Sequence, residues 1–254
     1  MSGHSKWAQI RRSKGVNDAR RGQLFTRLGR EIVVAVREGG GGDTAANFRL
    51  RMAVQRARDA NMPMDNIERT IKRALGGGEG AALEEITYEG YGPGGTAIMV
   101  QTLTENRNRT VAEVRNAFNR NAGNMGENGC VDWLFEATGI IEVELKGHDP
   151  DELTLEAIDL GANEVDNPQA DSETITIYTD PSDMETIRQA LEDKGYKIVR
   201  SESTIQAKTK VELSEEKTAH QFLRLMDRLE DLDDVQNVYA NADFSDEFAA
   251  SYGE

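Results

Sequence analysis

The stretch IIEVELKGHDPDELTLEAIDLGANE, residues 140–164, is echoed by TITIYTDPSDMETIRQALEDKGYKIV, residues 174–199. Each stretch begins with a run of β-branched and apolar residues typical of a strand, passes through Asp-Pro into a helical pattern, and leads past a glycine to a short second strand. Asp before a helix, Pro at its first position and Gly after its end are the usual helix boundaries. Two such units in tandem predict the element order βαββαβ, the ferredoxin-like arrangement.

Further α/β elements flank this unit on both sides. Before it, the pattern predicts two strands around a glycine-rich turn, a helix and a third strand, at residues 86–91, 96–103, 108–120 and 131–135. After it, a helix following Ser214 leads to a strand at residues 235–239. We therefore expect two α/β domains, one inserted in the other. Residues 77–137 and 205–254 would form a discontinuous middle domain, and residues 138–204 the inserted ferredoxin-like domain.

Residues 1–76 are predicted to form a helical domain. The first 16 residues have no apolar period and are interpreted as an arm. Apolar residues then recur every three or four positions in three segments, from Asn17 to the glycine run at residues 39–42, over residues 44–60, and from Asp65 to residue 75. We assign Asp65 as the cap of the third helix, and we place Phe48 and Leu75 on apolar faces. The whole chain is thus predicted to be an α+β multidomain protein in which a three-helix domain precedes two α/β domains.

The charge of the chain is strongly polarised. The formal net charge is −15, but residues 1–75 carry 16 Lys and Arg against 7 Asp and Glu, a net charge of +9. Residues 76–254 carry the remaining 14 basic residues against 38 acidic ones, a net charge of −24. Such asymmetry is typical of a basic nucleic-acid-binding module attached to an acidic body. Because salt screens charges over about 8 Å, a distant acidic domain does not cancel a local basic field.

Arginine dominates the basic segment, with thirteen Arg against three Lys, and planar guanidinium groups bind phosphate better than the point charge of Lys does. Several of these residues lie three, four or seven positions apart, spacings that place them on one helix face. The predicted nucleic-acid contacts are Lys6, Arg11, Arg12, Lys14, Arg20, Arg21, Arg27, Arg49, Arg56, Arg69, Lys72 and Arg73. One alternative is that the basic segment docks on the acidic body of its own chain. Another is that the second and third helices, joined by Asn61–Met64, form a groove-reading helix-turn-helix.

No catalytic, cofactor or metal pattern stands out in the sequence. The single Cys130 excludes an intramolecular disulfide, and one Cys with three His residues is too few for a typical zinc site. The glycine clusters lack the Lys-Ser or Lys-Thr of a phosphate-binding loop. The acidic run at residues 230–234 lacks the EF-hand pattern and is interpreted as a solvated helix end. We therefore predict a protein without enzymatic activity, cofactor or metal.

The sequence also predicts where the protein acts. No apolar run approaches the ~20 residues that a membrane helix needs, and one unpaired thiol fits a reducing compartment. We expect a soluble, cytoplasmic protein without a membrane partner.

Several motifs together resemble the YebC/PmpR family, which includes a mitochondrial translational activator of cytochrome oxidase subunit I. The matching stretches are Gly3–Trp7, Lys14–Ile32, Asn61–Gly76, Tyr88–Gly95, Asn108–Thr110 and DLDDVQNVYAN at residues 231–241. At Met64 relatives often carry Lys. The resemblance implies a helical N-terminal domain, a middle α/β domain and a further α/β domain inserted in it.

The resemblance also implies a regulator that is not an enzyme. Bacterial relatives are described as transcription regulators that bind promoter DNA, and others act in translation at the ribosome. We expect a DNA-binding transcriptional regulator. The alternative is a translation factor that binds ribosomal RNA, with its acidic domains meeting basic ribosomal proteins. A third hypothesis is a protein-interaction adaptor whose α/β domains bind a partner chain.

Overall fold

The structure, a computed structural model, describes residues 18–76, 83–166, 172–245 and 248. Within these ranges the α-helices are α1 Asp18–Glu38, α2 Phe48–Asp59, α3 Met64–Leu75, α4 Arg107–Arg120, α5 Pro150–Asp159, α6 Met184–Asp193 and α7 Glu216–Glu230. The strands there are β1 Glu84–Tyr91, β2 Ala97–Thr104, β3 Asn124–Met125, β4 Phe135–Glu144, β5 Glu164–Val165, β6 Thr174–Thr179, β7 Ile198–Ala207, β8 Val211–Leu213, β9 Val235–Ala240 and β10 Ala242–Phe244. None of the described helices is long and apolar enough to cross a membrane.

The first three helices pack around one apolar core, which includes the fully buried Ile32, Leu50 and Ile67. The buried side chain of Asn47 joins α1 to α2. Its Oδ1 accepts a hydrogen bond of 2.9 Å from the Leu50 amide, and its Nδ2 donates to the Ala35 carbonyl at 2.7 Å. One side chain thus caps the start of α2 and binds a carbonyl near the end of α1, which also accepts a hydrogen bond from the Gly39 amide. The predicted three-helix domain is confirmed.

Details of these helices differ from the prediction. The second helix begins at Phe48 rather than near residue 44, because Asn47 caps it. The third helix begins at Met64 after Pro63, so Asp65 lies in its first turn and is not the cap. Phe48 is 60% exposed, although it was assigned to the apolar face. It lies two residues before the buried Leu50, about 200° around the helix, and therefore faces away from the core. Leu75, the last residue of α3, is also exposed.

The middle sheet has the strand order β3-β1-β2-β9. β1 and β2 form an antiparallel hairpin from Glu84 opposite Thr104 to Tyr91 opposite Ala97. In their turn Gly94 has a φ of 73°, a conformation that favours glycine. β9 joins the edge of β2 although it follows α7, more than a hundred residues later. A late helix and strand therefore complete this sheet, as predicted.

The second four-stranded sheet has the order β5-β6-β4-β7, and β4 pairs antiparallel with both β6 and β7. Helices α5 and α6 contribute Leu153, Ile187 and Leu191 to its core. The order, with the first and third strands of the βαββαβ unit in the centre, confirms the ferredoxin-like prediction. The strand predicted over residues 131–135 is wrong. Residues Asp132–Leu134 form a 3-10 turn closed by a 2.9 Å hydrogen bond from the Leu134 amide to the Val131 carbonyl.

The described residues form two compact units. One comprises residues 18–130 and 217–238, and the other residues 131–216 and 239–248 where these are described. The helical domain and the strands β1–β3 lie in the first unit. The domain bounds given above, at residues 76, 137 and 204, stay predictions.

Candidate nucleic-acid interface

Two arginines of α1, Arg27 and Arg30, contact the end of α7 and the acidic loop between α7 and β9. Arg30 donates from Nη1 to the Asp233 carbonyl at 2.6 Å and pairs with Asp234 Oδ1 at 3.0 Å. Arg27 donates from Nη2 to the Glu230 carbonyl. Arg27, a predicted nucleic-acid contact, is thus held by the backbone of its own chain. The alternative of docking on the acidic body holds for these two arginines.

Asp234 is the centre of this contact. Its Oδ2 accepts hydrogen bonds from Arg109 Nη2 at 2.7 Å, Thr110 Oγ1 at 2.7 Å and Thr104 Oγ1 at 3.1 Å. Burial alone would raise the pKa of Asp234, but the hydrogen bonds from Arg109 and Thr110 and the charges of Arg109 and Arg30 hold it below its ordinary value. Both carboxylate oxygens are therefore occupied in a buried network. The interpretation of this residue as part of a solvated helix end was wrong.

Two predicted contacts on α2 are ion-paired with α1. Arg49 pairs with Glu38 at 2.7 Å and also contacts Glu85, and Arg56 pairs with Glu31 at 2.6 Å. The arginines are seven residues apart, and so are Glu31 and Glu38, in opposite order. Burial raises the pKa of Glu31, while the charges of Arg56 and Arg49 act against the rise. A phosphate would have to compete with these carboxylates for either arginine.

Other cations of the helical domain remain exposed. Among the described residues no carboxylate lies within ion-pair distance of Arg37, Arg51, Arg58, Arg69, Lys72 and Arg73, all exposed. Arg51 and Arg58 are two turns apart on α2, and Arg69, Lys72 and Arg73 lie on one face of the last turns of α3. These two exposed faces, together the free basic set of α2 and α3, can accept phosphate without breaking an ion pair.

An aromatic ring lies next to one of these faces. The guanidinium carbon of Arg51 is 5.5 Å from the ring centroid of Phe48, within the range of a cation–π contact. The ring is nevertheless 60% exposed. An exposed ring thus lies beside an arginine that has no carboxylate partner among the residues described.

The remaining predicted contacts cannot be placed. Lys6, Arg11, Arg12 and Lys14 lie outside the residues that the structure describes, and the side chains of Arg20 and Arg21 on α1 are likewise not described.

Sequence reasoning missed Arg51, Arg58 and Phe48 as site residues. A signal for the arginines was present. Glu31 and Glu38 repeat the seven-residue spacing of Arg49 and Arg56, as expected of helices that pack antiparallel, and this match points to the other arginines of α2 as the free ones.

Known protein families and relatives match almost the whole length of the chain. Residues 5–77 match the family described as "TACO1/YebC protein N-terminal domain", and residues 83–242 match "TACO1/YebC second and third domain". A protein of Chloroflexus aurantiacus is 55% identical over 254 residues, covering 99% of each chain, and one of Dehalococcoides mccartyi is 51% identical over 252 residues, covering 99% of this chain and 98% of that one. Both carry the name "Probable transcriptional regulatory protein".

A solved structure agrees with the fold. The crystal structure of a conserved hypothetical protein from Aquifex aeolicus has a TM-score of 0.77 and 45% identity, over 90% of this chain and 93% of that one. The chain belongs to the TACO1/YebC family.

Proposed function

We propose that the protein is a cytoplasmic, non-enzymatic regulator that binds nucleic acid through its N-terminal helical domain. The observation that carries the proposal is the free basic set of α2 and α3, which stays exposed in a chain of net charge −15. In the same domain Arg27, Arg30, Arg49 and Arg56 are held by carboxylates or carbonyls of the chain. Unpaired cations that are not needed for packing are available to phosphate.

The chemistry is neutralisation of phosphate charge. Guanidinium groups bind phosphate oxygens through two parallel hydrogen bonds, and each contact releases counterions from the nucleic acid. If Arg51, Arg58, Arg69, Lys72 and Arg73 all contact duplex DNA, the logarithm of affinity should fall with the logarithm of salt concentration with a slope of about −4.5. The six predicted contacts at residues 6–21 would extend the interface and steepen this slope.

The regulated process we favour is transcription, because relatives of similar length carry that name. In this reading the basic faces contact promoter DNA. Phosphate contacts of this kind position a protein on DNA but carry no sequence information by themselves. Base contacts would have to come from other side chains, of which Asn66, half-buried between the cations and the core of α3, is one.

Binding to ribosomal RNA in translation is the second candidate. The exposed ring of Phe48 favours it, since unpaired bases that can stack on a ring occur in the loops of folded RNA. The net charge of −24 on residues 76–254 would suit contact with basic ribosomal proteins. Comigration with ribosomal particles in a sucrose gradient, lost at high salt, would favour this candidate, whereas promoter footprints would favour the first.

The triple variant Arg69→Ala, Lys72→Ala, Arg73→Ala tests the proposal. We expect its affinity for a labelled 30-base-pair duplex, measured by fluorescence anisotropy, to fall at least tenfold at low salt, equally for unrelated sequences. The slope of affinity against salt should become less steep by about three.

The matched control removes three cations elsewhere. Lys194, Lys197 and Arg200 are paired with Glu156, Glu144 and Glu202 in the ferredoxin-like domain. Their replacement by Ala changes the net charge by the same amount and should leave affinity and slope within twofold. Equal losses in both triple variants, or no loss in the first, would contradict a specific role of α3.

A further inference from the structure

We propose that Phe48 and Arg51 form a stacking site for an unpaired base of single-stranded nucleic acid. The inference rests on the proposed function in one respect, that the helical domain binds nucleic acid. It goes beyond that function because it names the structural class of the ligand at one place on the surface.

The first argument is the position of the ring. Phe48 is the first residue of α2, and its side chain points away from the buried stripe formed by Leu50, Val54 and Ala57. It is not among the residues of the apolar core of the helical domain, whereas Phe25 packs against that core. A ring that is 60% exposed adds little to folding, and its exposed apolar area can still be buried by a ligand.

The second argument is the partner of the ring. Arg51 lies one turn further along α2, and its guanidinium carbon is 5.5 Å from the ring centroid. With Arg51 in this place Phe48 is still 60% exposed, so the arginine leaves much of the ring uncovered. In the described chain Arg51 has no carboxylate partner, and it can contact the phosphate or the edge of a base that stacks on Phe48.

The third argument is the direction of the basic face. Arg58 follows Arg51 by two turns on the same side of α2, about 10 Å along the helix axis. A strand whose base lies on Phe48 can therefore run along α2 with its backbone over Arg51 and Arg58. Aromatic rings beside a basic track are the common device for binding single strands.

An unpaired base is required by the chemistry of stacking. In a duplex both faces of each internal base are covered by its neighbours, so an exposed ring finds a free π-face only where bases are unpaired. Because every base has such a face, the site should be tolerant of sequence.

The test uses the full chain and the variant Phe48→Ala. The probes are a labelled 12-nucleotide RNA, the DNA strand of the same sequence, and the blunt DNA duplex. We expect Phe48→Ala to weaken binding of both single strands by about five- to a hundredfold and to leave duplex affinity within twofold. Phe48→Trp should retain single-strand binding, whereas Phe48→Leu, which is apolar but has no ring, should lose most of it.

Met64→Ala is the matched control, since Met64 is an exposed apolar residue at the first position of α3. It should leave all three affinities unchanged. Because the Phe48 side chain is exposed, its variants should melt within a few degrees of the wild type. A loss on RNA alone or on DNA alone would support stacking and assign the ligand to that nucleic acid.

Two outcomes would overturn the inference. One is unchanged single-strand affinity in Phe48→Ala while the Arg69, Lys72, Arg73 triple variant loses binding, which leaves the proposed function standing. The other is an equal loss on duplex and single strand, which would mean that the ring does not act through unpaired bases. If the triple variant also binds normally, the proposed function fails as well.

Discussion

The helical domain carries two groups of arginines with opposite surroundings. Arg27 and Arg30 on α1 and Arg49 and Arg56 on α2 are held by carboxylates or carbonyls of the same chain. Arg51 and Arg58 on α2 and Arg69 and Arg73 on α3 are exposed and have no carboxylate partner among the described residues. Both groups have the spacings of three, four or seven that place residues on one helix face.

The difference arises from what each face of a helix meets. Arg49 and Arg51 are two residues apart, about 200° around α2, so they point to opposite sides. Arg49 pairs with Glu38 and Glu85, whereas Arg51 lies over the ring of Phe48 and has no carboxylate partner in the described part of the chain. The number of basic residues in a segment is therefore only an upper limit on the number that a polyanion can contact. The part that is available to a polyanion depends on the carboxylates that packing brings opposite each face.

The largest effect is expected where the carboxylate that joins α1 to the loop between α7 and β9 is removed. Asp234→Ala removes a buried carboxylate that accepts hydrogen bonds from Thr104, Thr110 and Arg109 and pairs with Arg30. Because both arginines are partly exposed and can be hydrated, we expect a loss of about 2–3 kcal/mol of unfolding free energy. Urea unfolding followed by circular dichroism at pH 7 measures it. The control Asp233→Ala removes an exposed carboxylate from the same loop and should cost less than about 0.5 kcal/mol.

The pH dependence of this effect has a definite sign. Because the pKa of Asp234 is lowered in the folded state, its stabilisation is complete above the unfolded pKa near 3.8 and is lost as the pH falls through the lower folded pKa. The gap between wild type and Asp234→Ala should thus be constant from pH 7 to about 5 and shrink below about 4. A gap under 1 kcal/mol at pH 7 would show that the network does not hold α1 in place.

Local signals in the sequence were sufficient for much of the fold. The period of the apolar residues and the glycine run at residues 39–42 located α1, and Asp149-Pro150 marked the start of α5. The second Asp-Pro boundary was wrong by three residues, because Asp180-Pro181 lie in a turn and Asp183 is the N-cap residue of α6. The alternation of Val131, Trp133 and Phe135 imitated a half-buried strand. A backbone hydrogen bond from Leu134 to Val131 makes it a turn instead, with Trp133 65% exposed. Alternation alone does not reveal such a hydrogen bond.

The candidate site was less accessible to sequence reasoning. Spacing by seven selected Arg49 and Arg56 correctly as members of one face, but which carboxylates lie opposite that face is decided by tertiary packing. The same holds for Asp234, whose partners come from α1 and α4, more than a hundred residues away in sequence. Phe48 was misplaced because its apolar character was given more weight than its position, which is two residues and about 200° from the buried Leu50.

A matched pair of double variants sharpens the comparison on α2 itself. Arg51→Ala with Arg58→Ala and Arg49→Ala with Arg56→Ala each remove two charges from one helix. The free pair should lower duplex affinity about tenfold at low salt and make the salt slope less steep by about two. The ion-paired residues should lower affinity less than threefold and change the slope by less than one, because their carboxylates already compete with phosphate. Anisotropy titrations at several NaCl concentrations measure both, and identical effects would show that the ion pairs do not limit access.

The smallest effect is expected from Glu31→Gln, which tests whether the ion pairs between α1 and α2 stabilise the fold. Burial raises the pKa of Glu31, so folding disfavours its charged form. The stability that this group contributes is therefore complete below the unfolded pKa near 4.5 and is lost as the pH rises through the higher folded pKa.

Glutamine is neutral at every pH and retains the size of the side chain. The partner Arg56 is about half exposed, so the lost ion pair is worth less than about 1 kcal/mol. We expect Glu31→Gln to unfold at pH 7 with a free energy equal to the wild type or up to about 1 kcal/mol higher, and the gap to close as the pH falls below about 4.5. The exposed pair offers the control Glu38→Gln, with a change within about 0.5 kcal/mol at pH 7. A clear loss of stability in Glu31→Gln at pH 7 would mean that the attraction of Arg56 outweighs the cost of burying the carboxylate, and that this arginine is held more firmly than its exposure indicates.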